Sequence, residues 1–233
     1  MATRRDAVSV EATAAGGRAT GVPGDLAVFV GRLASNNPTP GGGAAAAYAA
    51  AMGAAAVAKV VAVSVGKPKY AAYEAELQGH LAHLHALSGR FFALGAEDEA
   101  AFAALMAAYR LPRSTDDEKA ARAAAIQAGL RGAAAVPLRV LVSCREVLDA
   151  AERVAQIGNP SALGDCGAGA ALAVAAMRVS LLNVTANVAG LTDGATAMGY
   201  REQLRDLYAG IEGREAVLVE AIRRRLAGEE DTE

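Results

Sequence analysis

The 233-residue sequence has no tryptophan, only two cysteines and just 4% aromatic residues. Cys144 and Cys166 form no Cys-x-x-Cys pair, which excludes a disulfide framework and a cysteine-based metal motif and is typical of a reducing cytosol. Because large rings are scarce, a sizeable core has to form from small side chains on closely approaching helices. The hydrophobic content of 53%, much of it alanine, therefore predicts an all-α fold.

The sequence also has no large excess of positive or negative charge. The formal net charge is -2 and the pI is about 6.0, whereas a nucleic-acid-binding surface needs a basic face. The basic cluster Arg223, Arg224 and Arg225 lies near the end of the last predicted helix, where cations complement the helix dipole. We therefore expect no nucleic-acid partner.

A secretory signal is not apparent, because no apolar segment follows the first residues. We expect a cytoplasmic protein with a flexible tail over residues 1–20. The run from Gly41 to Ala58 is uncharged and reaches the roughly 18 residues of a short membrane span. Alanine and glycine are weakly hydrophobic, however, and Lys59 ends the run, so we predict a buried helix and no membrane partner.

No compositional break or flexible linker divides the rest of the chain, so residues 21–233 are predicted to form one helical domain. Thr115 and Glu118 are spaced as a capping box, and Asn159 before Pro160 is typical of a helix start. We expect a bundle of long antiparallel helices. Their predicted ranges are about 24–35, 42–66, 70–109, 115–156, 160–188 and 193–226.

The most informative segment combines Pro38 and Pro40 with three glycines, Gly41, Gly42 and Gly43. Proline disfavours helix just before it and glycine permits close approach to the main chain, so the segment can present backbone amides to a ligand. No hydrophobic strand precedes the glycines and no Gly-Lys-Ser/Thr closes the loop, which excludes a dinucleotide fingerprint and a P-loop. The alternative is an ordinary helix start whose glycines serve tight packing.

Polar residues inside apolar helices are a second signal, because a buried polar group without a partner is costly. Asp165 lies in the first turns of the fifth predicted helix, where the dipole favours an ionised carboxylate. It is a candidate general base or partner for a cation, or else only a capping charge. Asn183 and Asn187 are one helical turn apart and either contact a ligand or form hydrogen bonds between helices.

Two further segments carry candidate groups. Lys67, Lys69 and Tyr70 lie on a short connection that either holds an anionic ligand or is a solvated basic turn. Asp98 is four residues before Phe102, which places an acid beside the core-facing stripe of the third predicted helix.

The three histidines, His80, His83 and His85, fall close together, and Glu76 shares a helix face with two of them. This spacing resembles a metal-ligand pattern. No cysteine or second acidic motif converges on it, so we interpret these histidines as surface or packing residues and predict no metal site.

The order of these motifs resembles the cyclodeaminase/cyclohydrolase family. This family includes stand-alone methenyltetrahydrofolate cyclohydrolases and the cyclodeaminase half of formiminotransferase-cyclodeaminase, and the similarity covers about residues 24–227. The motifs that carry it are Ser35-x-x-Pro38-x-Pro40-Gly41-Gly42-Gly43, Gly66-Lys67-x-Lys69-Tyr70, Asp98-x-x-x-Phe102, Gly158-Asn159-Pro160 with Asp165, and Asn183 with Asn187.

The resemblance implies an all-helical homodimer with a folate crevice and no cofactor, since a tetrahydrofolate derivative is itself the substrate. The implied reaction is hydration of 5,10-methenyltetrahydrofolate to 10-formyltetrahydrofolate. The alternative is closure of 5-formiminotetrahydrofolate with loss of ammonia. A third possibility, from another functional class, is a non-catalytic helical dimer that binds folate or acts as a scaffold.

Carried onto this sequence, the resemblance implies catalytic roles for Asp165, Lys67 and Asp98, with Asp165 as the base that takes a proton from water. Lys67 would assist proton transfer or join Lys69 in holding the glutamate carboxylates of folate. The family pattern commonly has serine after the glycines, where this chain has Ala44, so it lacks that hydroxyl. The implied substrate-binding residues are Ser35, Pro40, Gly41, Gly42, Gly43, Lys69, Tyr70, Asn159, Asn183 and Asn187.

Overall fold

The computed structural model describes residues 24–227. These residues form seven α-helices and two 3-10 helices, Pro68–Tyr73 and Pro160–Ala162, and contain no β-strand. The prediction of a single all-α domain is confirmed, whereas the predicted tail over residues 1–20 lies outside the described residues. The α-helices are α1 (Gly24–Leu33), α2 (Gly42–Ala62), α3 (Glu74–Tyr109), α4 (Asp116–Ile157), α5 (Leu163–Val188), α6 (Gly194–Tyr208) and α7 (Ile211–Ala227).

Side-chain caps fix the starts of two helices. At α4, the Thr115 hydroxyl accepts a hydrogen bond from the Glu118 amide at 3.2 Å, and the Glu118 carboxylate accepts one from the Thr115 amide at 3.2 Å. At α6, the Asp193 carboxylate accepts from the amides of Ala195 and Thr196 at 3.0 and 3.3 Å. Because such caps use residues close in sequence, the capping box was predictable from the sequence and is confirmed.

The prediction of one helix over residues 193–226 is wrong. Helix α6 ends at Tyr208 and α7 begins at Ile211, with Gly210 at a φ of 75° between them. This left-handed conformation suits glycine and ends an α-helix. The predicted third helix also differs at its start, where the 3-10 helix Pro68–Tyr73 precedes α3.

Helix α2 lies at the centre of the domain and packs against α3, α4 and α5. Alanine dominates its buried side, and such small side chains let neighbouring helices approach closely. The alanines of α2 with no exposed surface are Ala44, Ala47, Ala50 and Ala54.

The backbones of α2 and α5 meet directly at a crossing formed by Gly53 and Gly169. A Cβ atom at Gly53 would lie 2.8 Å from the carbonyl oxygen of Gly169, and one at Gly169 would lie 2.6 Å from the carbonyl oxygen of Gly53. Any side chain at either position would therefore push the two helices apart.

Three segments of the described chain are long and apolar enough to cross a membrane, judged by length and composition alone: Gly42–Ala62, Asp116–Ile157 and Pro160–Val188. Of the most apolar window in the first segment, 61% is buried by the rest of the domain. Packing against other helices thus covers more than half of this apolar window.

Candidate active site

The predicted site residues lie at the two ends of α2. Residues 41–43 lie at the start of α2, where Gly43 faces Asp98 of α3. Near the other end of α2, Lys59 pairs with Asp165 of α5. At 1.5 Å per residue, position 43 and Lys59 are about 24 Å apart along the helix. We name the two clusters the Asp98 site, formed by Gly43, Ala44, Tyr48, Gly95 and Asp98, and the Lys59 site, formed by Lys59, Ser64, Lys67, Asn159 and Asp165.

In the Asp98 site, a half-buried carboxylate lies against the first turn of α2. Asp98 accepts a hydrogen bond from the backbone amide of Ala44. Partial burial raises the pKa of Asp98, the Ala44 hydrogen bond opposes this shift, and the negative charge of Glu99 adds to it. The net effect is a carboxyl group that holds its proton more tightly than an exposed aspartate does.

Gly43 makes room for this carboxylate. A Cβ atom at Gly43 would lie within 2.5 Å of Asp98 Cγ. By contrast, a Cβ at Gly41 would meet no atom within 4 Å, and one at Gly42 would lie 3.8 Å from Val179. The close approach at Gly43 therefore serves tight packing against Asp98, which is the alternative that the sequence left open.

Ala44 follows Gly43 and is fully buried. Its amide is already bound to Asp98, so this donor of the helix start is occupied within the subunit. A serine hydroxyl at this position would lie in the protein interior and not on an open ligand surface.

Two of the three acids in the run from Glu97 to Glu99 are paired with arginines. Glu97 binds Arg139 of α4 at 2.5 Å, and Glu99 binds Arg32 of α1 at 2.8 Å. The Arg139 hydrogen bond lowers the pKa of Glu97. Among the described residues, no lysine or arginine pairs with Asp98, so it is the acid of this run that faces α2 without a counterion.

Tyr48 of α2 contributes an aromatic ring to the Asp98 site. A Cβ at Gly95 would lie 2.6 Å from the Tyr48 ring, so the glycine makes room for the ring on α3. The Tyr48 ring contacts Phe29 of α1 edge to face, with centroids 4.8 Å apart, and Phe92 of α3 at 5.9 Å. Partial burial raises the pKa of Tyr48, and the charge of Glu99 raises it further, while that of Arg32 opposes both. Sequence reasoning missed Tyr48, although a tyrosine in an alanine-rich helix is a visible signal.

In the Lys59 site, Lys59 Nζ lies 2.9 Å from the Asp165 carboxylate. The two side chains are 63% and 38% exposed, so water screens the pair. Asp165 thus has the cation partner that was one of its two predicted roles. Sequence reasoning treated Lys59 only as the end of an apolar run, although it is the single charged residue of α2.

Asn159 holds the connection between α4 and α5 against the end of α2. Its amide donates to the buried Ser64 hydroxyl at 2.8 Å, and its side-chain oxygen accepts from the amide and hydroxyl of Ser161. The Ser64 hydroxyl in turn donates to the Val60 carbonyl at 2.7 Å. These bonds give Asn159 a structural role at the Lys59 site.

The basic connection after α2 exposes both of its lysines. The Lys67 amide donates to the Ser64 carbonyl at 3.3 Å, which places this residue beside Asn159 at the Lys59 site. Tyr70 is buried, and Lys69 Nζ lies 5.7 Å from the centre of its ring. The two ammonium groups remain accessible to an anionic ligand.

Among the remaining predicted residues, Ser35, Asn183 and Asn187 make hydrogen bonds within the subunit. Asn187 donates to the carbonyl of Ala133 on α4 at 3.0 Å and to that of Asn183 at 2.9 Å. The bond to Ala133 is the interhelical hydrogen bond that was one of the two interpretations of Asn187. Ser35 donates to the Arg32 carbonyl at 2.6 Å at the end of α1. Pro40 is buried.

The histidines pair with acids separately. His80 lies 3.8 Å from Glu76, and His83 lies 3.2 Å from Glu146. Within residues 24–227, no three histidine, cysteine, aspartate or glutamate side chains come together as metal ligands.

Comparison with known proteins places these features in context. A family model described as formiminotransferase-cyclodeaminase matches residues 25–206. The chain belongs to the formiminotransferase-cyclodeaminase family. The match includes every residue of the Asp98 and Lys59 sites.

Individual members of the formiminotransferase-cyclodeaminase family are similar over most of this chain. A methenyltetrahydrofolate cyclohydrolase of Methylorubrum extorquens is 42% identical over 184 residues, which are 79% of this chain and 88% of that protein. The formimidoyltransferase-cyclodeaminase of Sus scrofa is 30% identical over 87% of this chain but only 37% of its own length. The crystal structure of a formiminotetrahydrofolate cyclodeaminase from Thermotoga maritima has a TM-score of 0.75 and 28% identity, covering 87% of this chain and 96% of that one.

Proposed function

We propose that this protein is a methenyltetrahydrofolate cyclohydrolase, which hydrates 5,10-methenyltetrahydrofolate to 10-formyltetrahydrofolate. The observation that carries the proposal is the half-buried carboxylate of Asp98, which has a raised pKa and no counterion among the described residues. A desolvated carboxylate without a counterion is suited to accept a proton and to return it. The 42% identity to the Methylorubrum extorquens cyclohydrolase supports the choice of substrate.

The reaction requires two proton movements that one carboxylate can serve. The water oxygen bonds to the methenyl carbon, and one water proton passes to Asp98. The bond from that carbon to folate N5 then breaks as the new hydroxyl gives up its proton and N5 receives one. One proton is released overall, which balances the lost positive charge. Asp98 acts first as general base and then as general acid.

Asp98 suits this role better than Asp165, which the family resemblance favoured. The Asp165 carboxylate is bound to Lys59 at 2.9 Å, and the pair is open to solvent. Lys59 thus already occupies this carboxylate, whereas Asp98 has no cation partner among the described residues. We assign Asp165 to the orientation of Lys59.

The exposed ammonium groups of Lys67 and Lys69 supply binding for the glutamate carboxylates of folate. Lysine offers a mobile point charge with three donors, which suits flexible carboxylates. The Lys59 site therefore serves binding, and the Asp98 site serves chemistry.

Within one subunit, the Lys59 site and the Asp98 site are separated along α2, with about 24 Å between position 43 and Lys59. A homodimer that brings the two sites together is therefore part of the proposal. In a two-fold pair whose α2 helices run in opposite directions, the Lys59 site of one subunit approaches the Asp98 site of its partner. Apolar side chains exposed on α2 and α5 suit such an interface, among them Met52 at 49% and Leu182 at 68% exposure. Leu182→Glu is expected to yield monomers in light scattering; an unchanged dimer mass would move the interface elsewhere.

The decisive experiment follows the loss of methenyl absorbance with purified protein and compares it with the uncatalysed rate. Acceleration is the expected result. A parallel assay with 5-formiminotetrahydrofolate tests cyclodeaminase activity, which the similarity to the Thermotoga maritima structure favours as the second candidate. If the protein accelerates neither reaction, both enzyme functions are excluded and the non-catalytic folate-binding dimer is the remaining candidate. We further propose that the reaction needs no cofactor or metal and takes place in the cytoplasm.

A further inference from the structure

Three aromatic rings meet where α1, α2 and α3 converge, in a chain with few aromatic residues. Tyr48 lies between Phe29, at a centroid distance of 4.8 Å, and Phe92, at 5.9 Å. Phe92 is 58% exposed, so much of its ring faces solvent. We call these three residues the aromatic cluster.

The aromatic cluster adjoins the Asp98 site. Tyr48 is one helical turn beyond Ala44, whose amide binds Asp98, and its ring lies against Gly95, which is three residues before Asp98 on α3. Phe92 is three residues, or just under one helical turn, before Gly95. The rings and the carboxylate therefore border the same region of the α2 and α3 surfaces.

The charges around the cluster favour a cation. Glu99 and Asp98 both lie on the adjoining part of α3, and Arg32 compensates only Glu99. The face of an aromatic ring is negative and attracts cations within about 6 Å of its centre. An exposed ring and an uncompensated carboxylate on the same helix are thus suited to a flat ligand that carries delocalised positive charge.

We propose that Tyr48 and Phe92 bind the delocalised cation of the methenyl ring, so that the site prefers 5,10-methenyltetrahydrofolate, whose ring is cationic, to folates whose ring is uncharged. This inference rests on the proposed function, since it names how the substrate ring is recognised. Hydration removes the positive charge, so the same rings lose their attraction for the product. Because the contact is strongest before the charge is lost, it lowers KM and does not raise kcat.

The test compares Phe92→Leu, which keeps an apolar side chain but removes the ring, with Phe92→Tyr, which keeps the ring. Tyr109→Leu is the matched control, because Tyr109 is an exposed aromatic residue farther along α3. Phe92→Leu is expected to raise the KM for 5,10-methenyltetrahydrofolate about fivefold. The inhibition constant of tetrahydrofolate, which has an uncharged ring but the same glutamate tail, should change less than about twofold. Phe92→Tyr should retain the wild-type KM.

Two results would overturn the inference while leaving the proposed function intact. One is equal loss of affinity for both folates in Phe92→Leu, since that identifies a plain apolar contact. The other is a lower mass of Phe92→Leu in light scattering, since that assigns Phe92 to a subunit interface. If the wild-type protein accelerates no reaction, the proposed function fails. Equilibrium dialysis of the same two folates then decides whether Phe92→Leu loses the preference for the one with the cationic ring.

Discussion

A carboxylate of a neighbouring helix lies at each end of α2, and the two have contrasting surroundings. At one end Asp98 is half-buried, without a counterion among the described residues, and its pKa is raised. At the other end Asp165 is open to water and bound to Lys59 at 2.9 Å. The same functional group is thus partly desolvated and without a counterion at one end, and exposed beside a cation at the other.

The contrast shows that the sequence position of an acid says little about its chemistry. Asp165 lies in the first turn of a helix and looked like the better base, whereas Asp98 sits in the middle of α3 among other acids. What separates them is the packing of Asp98 against Gly43. The following predictions test this difference, beginning with the largest expected effect.

Asp98→Asn is expected to lower kcat for methenyl hydration by about 100-fold or more, because asparagine keeps the acceptor for the Ala44 amide but cannot take a proton. Asp165→Asn should cost less than about tenfold. Steady-state rates from the methenyl absorbance measure both. If Asp165→Asn proves the more damaging change, the roles of the two ends are reversed.

Gly43→Ala is expected to lower kcat about tenfold, since the added methyl group would displace the Asp98 carboxylate. Gly79→Ala is the control, because a Cβ at this exposed glycine of α3 would meet no atom within 4 Å. The same assay applies. Wild-type activity in Gly43→Ala would show that the position of Asp98 is unimportant.

Lys67→Ala is expected to raise KM about 1.4- to fivefold and to leave kcat unchanged, because an exposed charge contributes about 0.2–1 kcal/mol to binding a carboxylate. The effect should shrink at high salt. Lys119→Ala, which removes another exposed lysine on α4, serves as the control. A KM equal to that of the control would remove Lys67 from the binding surface.

The two carboxylates are also expected to affect stability with opposite sign. The folded state raises the pKa of Asp98, so its ionisation above that pKa costs stability, and the cost disappears as the pH falls to the ordinary aspartate range. Asp98→Asn should therefore raise Tm at neutral pH, with a gap that closes near about pH 4.

Asp165→Asn should instead lower the free energy of unfolding by less than about 1 kcal/mol, because it breaks an exposed ion pair. Urea unfolding of both variants at several pH values measures the two effects. A destabilised Asp98→Asn protein at neutral pH would contradict the contrast between the two ends.

Features encoded by neighbouring residues were predictable from the sequence. The capping box of Thr115 and Glu118 and the proline after Asn159 are local signals, and each appears in the structure as expected. The break at Gly210 was missed, since many glycines in this chain lie inside helices and composition does not reveal which one adopts a positive φ.

The candidate site was only partly predictable, for a physical reason. Gly43 and Asp98 were each recognised as candidates, but their contact depends on how α2 packs against α3. The pairing of Lys59 with Asp165 likewise depends on the register between α2 and α5. Contacts between residues far apart in sequence require that packing to be known.

The crossing of Gly53 and Gly169 has a consequence for how this sequence can vary. Each glycine faces a carbonyl oxygen of the other helix, and no substitution can shorten a backbone group to make room. A side chain introduced at one glycine therefore cannot be accommodated by a second substitution at the other. Because the crossing lies between the two ends of α2, an engineer who wishes to respace them has to rebuild both helices and cannot proceed by single replacements.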